Sequence, residues 1–300
     1  MPQLLAFDIG GTQIKYGIVS NTGEVIAAHS QNTCASDGGP ALLVRLLELA
    51  RPLVAQYQPC GIAISSLGLI EPKRGTVLGA AEAVPQYPGI SLIPVFEAEF
   101  GLPVTAENDV NCVALAEGWT GAAQGVQDYL ALAIGTGIGG GIVLGGHLHR
   151  GHRAAAGEWG YMNIGGQVWE SQASMSGLVR RAVAASGELG LDGKAVFARV
   201  DAGDVVMQAV VADWLALLAT GIANLIYAFN PEKIILGGGI AGRGAPFLQD
   251  IRAAVSQQLL PDFQSMTQIE LASAGNHAGM LGAVRNWLNS NSVSALKGSL

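Results

Sequence analysis

The sequence predicts an α/β protein of two domains, and three observations carry that prediction. The stretch Leu4–Val19, LLAFDIGGTQIKYGIV, and the stretch Leu130–Val143, LALAIGTGIGGGIV, repeat one plan: an apolar strand, a glycine-rich reversal carrying a threonine, and a second apolar strand. The chain has 300 residues, above the usual size of one domain, and half of them are hydrophobic, enough for two cores. Apolar runs of strand length alternate with segments of helical spacing along the rest of the chain.

The first hairpin opens the chain. Gly10 and Gly11 place no Cβ in front of the backbone N–H groups of the turn, and Thr12 adds a hydroxyl donor, so the reversal suits an anion such as a phosphate. Asp8 puts a carboxylate where a phosphate-bound Mg²⁺ needs an oxygen ligand, directly or through water. A strand at Val25–Ala28 follows Gly23, and leucines at helical spacing mark a helix over Pro40–Gln56. The strand Gly61–Ser65 ends in Ser66–Gly75, which reads either as a ligand-contacting loop at the carboxyl end of a strand or as a plain connection. Leu92–Phe100 reads as a short helix, Pro103–Ala106 as a strand, and Asp109 begins a helix running through Trp119.

Glu107, Asn108 and Asp109 therefore fall at a strand-to-helix junction. An aspartate there serves as a cap or a favourable charge on the helix dipole, but Glu107–Asn111, ENDVN, sets four hydrogen-bonding side chains into five positions, more than one cap needs. This is the expected catalytic position, suited to a polyol. The second hairpin turns at Gly135–Gly137. Trp214–Phe229 contains Asn224, follows Asp213 and falls short of the ~20 apolar residues of a membrane span, so it reads as a buried core helix ended before Pro231.

Composition excludes several partners. With 16 Lys+Arg against 23 Asp+Glu the net charge is -7, and no basic run offers a footprint for nucleic acid or an anionic membrane. The 42 glycines are about twice the average usage of roughly 7% and have no collagen-like period, so the excess belongs to turns and close approaches. Cys34, Cys60 and Cys112 are odd in number and widely spaced, as expected of reduced thiols in a cytoplasmic chain. The apolar start runs directly into Asp8, so it reads as a core strand and not as a signal peptide.

DIGGT, ENDVN, IGTGIGGG, AGEWGYM at Ala156–Met162, KIILGGGIA at Lys233–Ala241 and GNHAGMLGA at Gly275–Ala283 together resemble the ROK family of bacterial sugar kinases and sugar-responsive repressors. The resemblance implies the actin-like, RNase H-like pair of α/β domains, with ATP and sugar in the interdomain cleft. It divides the chain into 1–118 and 119–300, with a C-terminal helix at about 276–288 near the hinge. It implies ATP-dependent phosphorylation of a sugar hydroxyl, with Mg²⁺ at Asp8 and Asp109 as general base. Asn108, Asp109, Glu158, Glu170 and Gly68 resemble sugar contacts. Gly10, Gly11, Thr12, Lys15, Gly135, Thr136, Gly137, Gly237, Gly238 and Gly239 resemble contacts to ATP. The partners implied are a sugar, ATP and a second copy of the chain.

Two departures from the family pattern bear on the sugar. Tyr161 stands where the family has a zinc-ligating histidine, and Gly165–Ser176 contains no cysteine or histidine, so no zinc is expected. His152, alone in a glycine-rich loop, is not counted as a ligand. In EAVPQYPG at Glu82–Gly89, Ala83 replaces an asparagine that glucokinases offer to the sugar, and Tyr87 and Tyr161 are candidates for apolar stacking. The variant most resembles the β-glucoside kinase branch, which acts on the 6-hydroxyl of the non-reducing glucose. The alternative is a sugar sensor. Only seven residues precede Asp8 and Ser290–Leu300 reads as a flexible end, so a DNA-reading module is not expected.

Overall fold

The structure, a computed structural model, describes the backbone of residues 1–297 and the side chains through Asn291. The chain forms two compact units, one of residues 1–125, 148–156 and 273 onward, the other of 126–147 and 157–272.

The first unit begins with β1 (Gln3–Ile9), β2 (Gln13–Ser20) and β3 (Val25–Asn32), followed by α1 (Gly38–Tyr57), β4 (Ile62–Ser66), β5 (Leu69–Glu71), β6 (Thr76–Gly79), α2 (Leu92–Phe100), β7 (Val104–Asn108) and α3 (Asp109–Thr120). Its main sheet has the order β3-β2-β1-β4-β7, antiparallel through the first hairpin and parallel from β1 to β7. β1 is apolar along almost its whole length because both of its faces are covered. Leu5, Phe7 and Ile9 pack with Leu42, Leu46 and Phe96 of α1 and α2. Leu4 and Ala6 pack on the other face with Cys112 and Ala116 of α3.

The second unit repeats this plan. β8 (Tyr129–Ile134) and β9 (Ile138–Leu144) form its hairpin, and β10 (His147–Leu148) extends the edge. A small hairpin of β11 (Asn163–Ile164) and β12 (Gln167–Val168) leads to α4 (Trp169–Ala173), α5 (Met175–Ser186), α6 (Gly193–Asp201) and α7 (Val205–Phe229), followed by β13 (Lys233–Gly237), α8 (Ala245–Gln258) and β14 (Gln268–Leu271). The sheet order is β10-β9-β8-β13-β14, with β8, β13 and β14 parallel. α7 is the one described helix with the length and hydropathy to cross a membrane. It packs against α4, α5, α6 and α8, with Trp214, Leu218 and Ile222 fully buried. It starts at Val205, earlier than the apolar run suggests, because the Asp204 carboxylate caps it by accepting from the N–H groups of Val206 and Met207.

The chain then returns to the first unit as α9 (Ala278–Lys297). Met280, Leu281 and Val284 complete the cluster around Leu4 and Ala6. The approach of α9 to α3 is close enough that a Cβ on Gly282 would lie 1.7 Å from the Cys112 carbonyl oxygen.

The structure differs from the sequence expectation at three places. The division at 118/119 is replaced by one that returns 148–156 and 273 onward to the first unit, because α9 packs on α3, β1 and β4. Ser66–Gly75 is not a bare loop: Leu69–Glu71 pairs antiparallel with Thr76–Gly79. Glu71 turns that hairpin by accepting from the N–H groups of Lys73 and Arg74. The end expected to be flexible from Ser290 continues α9 through Lys297, while 298–300 lie outside the described residues.

Candidate active site

Parallel register at the carboxyl ends of three strands assembles the centre of the first unit. Asp8 of β1 lies opposite Ser65 of β4, which lies opposite Glu107 of β7, so the three side chains form one row on one face. Ser65 Oγ donates to Asp8 Oδ1 at 2.9 Å. Burial pushes the Asp8 carboxyl above its ordinary range, opposed by the Ser65 hydrogen bond and by electrostatic attraction to Lys15 and His277. Helix α9 begins against this carboxylate: a Cβ on Gly279 would lie 2.2 Å from Asp8 Cγ.

The first turn needs glycine for room and not for backbone conformation, since neither Gly10 nor Gly11 has positive φ. A Cβ on Gly10 would sit 3.1 Å from the Gln13 carbonyl oxygen, and one on Gly11 would sit 3.1 Å from Ala83. The Ala83 position therefore borders the turn. Thr33, fully buried, braces it by donating from Oγ1 to the Gly10 carbonyl at 2.7 Å and from its N–H to the Thr12 carbonyl at 2.9 Å. Lys15 lies opposite Asp8 in the hairpin and donates to both the carbonyl and the Oδ1 of Asn276 at 2.9 Å.

The β7–α3 junction carries Asn108 and Asp109. Asn108 Oδ1 caps α3, accepting from the N–H groups of Val110 and Asn111 at 2.9 and 3.0 Å. Its Nδ2 donates to the Gly68 carbonyl at 3.0 Å and to Asp109 Oδ1 at 2.9 Å. Gly68 holds a left-handed turn at φ 91°, which places its carbonyl there. Asn108 thus orients Asp109 and ties it to the Gly68 turn.

Behind the junction is a network that residue types alone do not reveal. Glu107 is fully buried; its Oε1 accepts from the Asn108 N–H and Asn111 Nδ2, and its Oε2 accepts from Arg150 Nε at 2.5 Å. Arg150 Nη2 also donates to Asn286 Oδ1 on α9 at 2.8 Å. Glu117, equally buried, accepts from the N–H groups of Ala122, Ser273 and Ala274 and so fastens the return of the chain to α3. The partners of Glu107 and Glu117 lie up to 43 and 157 residues away, and no local pattern signals them. Tyr87, expected to be free for stacking, is fully buried with its hydroxyl 2.9 Å from Ser66 Oγ, and desolvation pushes its pKa up to about 12. It has no exposed ring to offer a sugar. Tyr161, by contrast, is half-exposed.

In the second unit the reversal Gly135–Gly137 is closed by a Gly135 N–H to Gly137 carbonyl bond of 3.0 Å. A Cβ on Gly135 would meet no protein atom within 4 Å, so its bareness serves no internal packing. A shallow cleft of ≈ 400 Å³ opens beside Thr136, with Ser176, Arg180 and Asp192 in its wall. Glu170, expected at a sugar, braces the turn from within: its Oε2 accepts from the Ile138 N–H at 3.1 Å, and a Cβ on Gly137 would lie 2.6 Å from that oxygen. Glu158 precedes a 3-10 turn at Trp159–Tyr161. Gly237 ends β13, and Gly238 at φ 84° passes β8 so closely that a Cβ would fall 2.4 Å from the Ile134 carbonyl oxygen. Gly239 starts the 3-10 turn that follows.

The donor set bears on Mg²⁺. Among the described residues no three His, Cys, Asp or Glu side chains cluster to form a metal cage. Mg²⁺ bound with a nucleotide keeps several waters and takes one or two carboxylates beside the phosphates, a requirement that a single carboxylate such as Asp8 fits.

Two α/β units, each a hairpin continued by parallel strands with a glycine turn at its head, define the actin-like fold of the two-domain sugar kinases. The chain belongs to the ROK family, whose model matches residues 4–290. A β-glucoside kinase from Listeria monocytogenes is 38% identical over 296 residues, covering 95% of this chain and 97% of that protein. The crystal structure of a ROK family protein from Streptococcus pneumoniae in complex with sucrose superposes with a TM-score of 0.87 at 30% identity, covering 97% of this chain and 99% of that one. A ROK family glucokinase from Streptomyces griseus in complex with glucose and AMPPNP gives a TM-score of 0.80 at 29% identity, covering 94% and 98%.

Proposed function

We propose that this protein transfers the γ-phosphoryl group of ATP to a sugar hydroxyl, with Asp109 as general base, and that the acceptor is the 6-hydroxyl of a hexose or of the non-reducing glucose of a β-glucoside. The observation that carries the reading is the Asp109 carboxylate, held by Asn108 at the head of α3 and at the carboxyl end of the same parallel strands that carry Asp8. Asp109 accepts the hydroxyl proton as the oxygen attacks phosphorus, and little other covalent chemistry is asked of the protein. Gly10, Gly11 and Thr12, and Gly135, Thr136 and Gly137, offer backbone and hydroxyl donors to phosphate oxygens, with Lys15 beside the first turn and Gly237–Gly239 on the nucleoside side. Mg²⁺, when bound with the nucleotide, offsets charge on those oxygens, and Asp8 is the residue to hold it, directly or through water.

Asn108 and Glu158 are assigned to sugar hydroxyls, Asn108 also setting the direction of Asp109. The preference for a β-glucoside is supported by the Listeria relative, a β-glucoside kinase, and by the alanine at position 83. ADP release with Mg·ATP across glucose, mannose, N-acetylmannosamine, cellobiose and gentiobiose tests the reading. Asp109→Asn should lower turnover about 10²- to 10⁴-fold while sugar binding is retained. Near-normal turnover in that variant refutes the base assignment, and sugar-independent ATP hydrolysis at a similar rate refutes the kinase.

A further inference from the structure

Arg150 sits in a segment whose place in the fold needs a reason. Residues 148–156 belong to the first unit although the chain before and after them belongs to the second. The excursion is a closed loop: the Arg150 carbonyl accepts from the Ala156 N–H at 3.2 Å, and Ala154 adopts the left-handed backbone at φ 56°. What the loop delivers to the first unit is the Arg150 guanidinium. Nε bonds Glu107 and Nη2 bonds Asn286, so two anchors fix the plane of the group.

From Glu107 the bonds run through Asn108 to Asp109. Glu107 Oε1 accepts from the Asn108 N–H, and Asn108 Nδ2 donates to Asp109 Oδ1. The cost accepted for this arrangement is visible at Asn111. Its Nδ2 faces Glu107, and its buried Oδ1 has no partner among the described residues, an orientation that favours supplying Glu107 with donors. We propose that Arg150 is a positioning residue for phosphoryl transfer, fixing Glu107 and the Glu107–Asn108 peptide so that the Asp109 carboxylate meets the acceptor hydroxyl in a set direction. The proposal rests on Asp109 being the base.

The test uses the full chain with Mg·ATP and cellobiose or glucose, and Asp109→Asn as the control. Removing Arg150 alone strands a buried carboxylate, so the decisive variant is Glu107→Gln/Arg150→Met, which discharges both partners and keeps the fold accessible. Its kcat should fall about ten- to a hundredfold, the effect expected of a displaced catalytic group, with the sugar KM within about twofold of the parent. Arg150→Lys keeps the charge but not the two-anchor fork, and its kcat should lie between the double variant and the parent. A double variant with kcat within about twofold of the parent overturns the proposal, since a purely structural role lowers the melting temperature without this split. Arg150→Lys equal to the parent overturns the two-anchor positioning. Near-normal turnover in Asp109→Asn brings down the general-base reading instead, independently of Arg150.

Discussion

Glu117→Gln replaces one oxygen of a fully buried carboxylate by NH₂ and should open the segment that joins the two ends of the first unit. Glu117 Oε1 accepts from Ser273 and Ala274 at 3.0 and 2.9 Å, and Oε2 accepts from Ala122 and Ser273 at 2.8 and 3.1 Å. The amide retains one acceptor oxygen. With that oxygen toward Ser273 and Ala274, its NH₂ faces the Ala122 N–H, and one charge-assisted bond worth about 1.5–3 kcal/mol is lost. The two remaining bonds drop to neutral strength, about 1 kcal/mol less each. Oε2 occupies the space a side chain at residue 121 would take, 2.2 Å from where a Cβ on Gly121 would be, so the carboxyl sits here only because that residue is glycine. Relief of the buried charge offsets part of the loss, leaving about 3 kcal/mol, a factor of about a hundred at 1.36 kcal/mol per decade. Amide hydrogen exchange reads this directly. A peptide covering Ser273 and Ala274 should exchange about a hundredfold faster in the variant, with α7 peptides unchanged. Acceleration of that peptide by less than about threefold refutes the reasoning, as would equal acceleration in α7.

Three further outcomes are expected. Because burial raises the Asp8 carboxyl above the ordinary aspartate range, the native state holds this proton more tightly than the unfolded chain, and unfolding free energy falls as pH rises from about 4 through the raised value. The Asp8 carboxyl is therefore a net cost at pH 7: Asp8→Asn should melt higher than the parent there, the gap closing as the pH is lowered toward 4, and a lower melting temperature at pH 7 contradicts this. Gly282→Ala drives a Cβ to within 1.7 Å of the Cys112 carbonyl oxygen and should cost about 3 kcal/mol as α3 and α9 separate, read as a lower urea midpoint at constant slope; an unchanged midpoint refutes the close packing. Tyr87→Phe removes a buried hydroxyl whose partner, Ser66 Oγ, keeps its bond to the Leu67 carbonyl, so it should cost about 1 kcal/mol. The sugar KM should not change, and a large rise in KM would place the Tyr87 hydroxyl at the sugar.

The parts of the site legible in the sequence are those that local chemistry determines. Strand, glycine turn and strand occur in order along Leu4–Val19 and Leu130–Val143, and the pairing of β1 with β2 and of β8 with β9 follows from that order. The junction before Asp109 is equally local, as an apolar strand must end where ENDVN begins. The reason for glycine was only half legible: the turns need room, and Gly137 needs it for Glu170, a residue 33 positions further on. Glu117, Arg150 and Thr33 were invisible because a carboxylate, a guanidinium or a hydroxyl looks the same in sequence whether it meets water or a distant backbone. Tyr87 misled for the same reason, since a tyrosine among prolines and glycines reads as exposed while its ring fills a core.

The order in which the first unit receives its parts has a consequence for synthesis on the ribosome. β1 emerges first, yet Leu4 and Ala6 wait for Met280 and Val284 to cover them, and Glu117 waits for Ser273 and Ala274. The second unit ends at Ala272, so all its strands and helices are available before those partners exist. Domains ordinarily form from the N-terminus onward, whereas here the whole inserted unit is made before α9 can cover this face of β1 and before Ser273 and Ala274 can satisfy Glu117. This face of β1 is therefore completed only once α9 has been made.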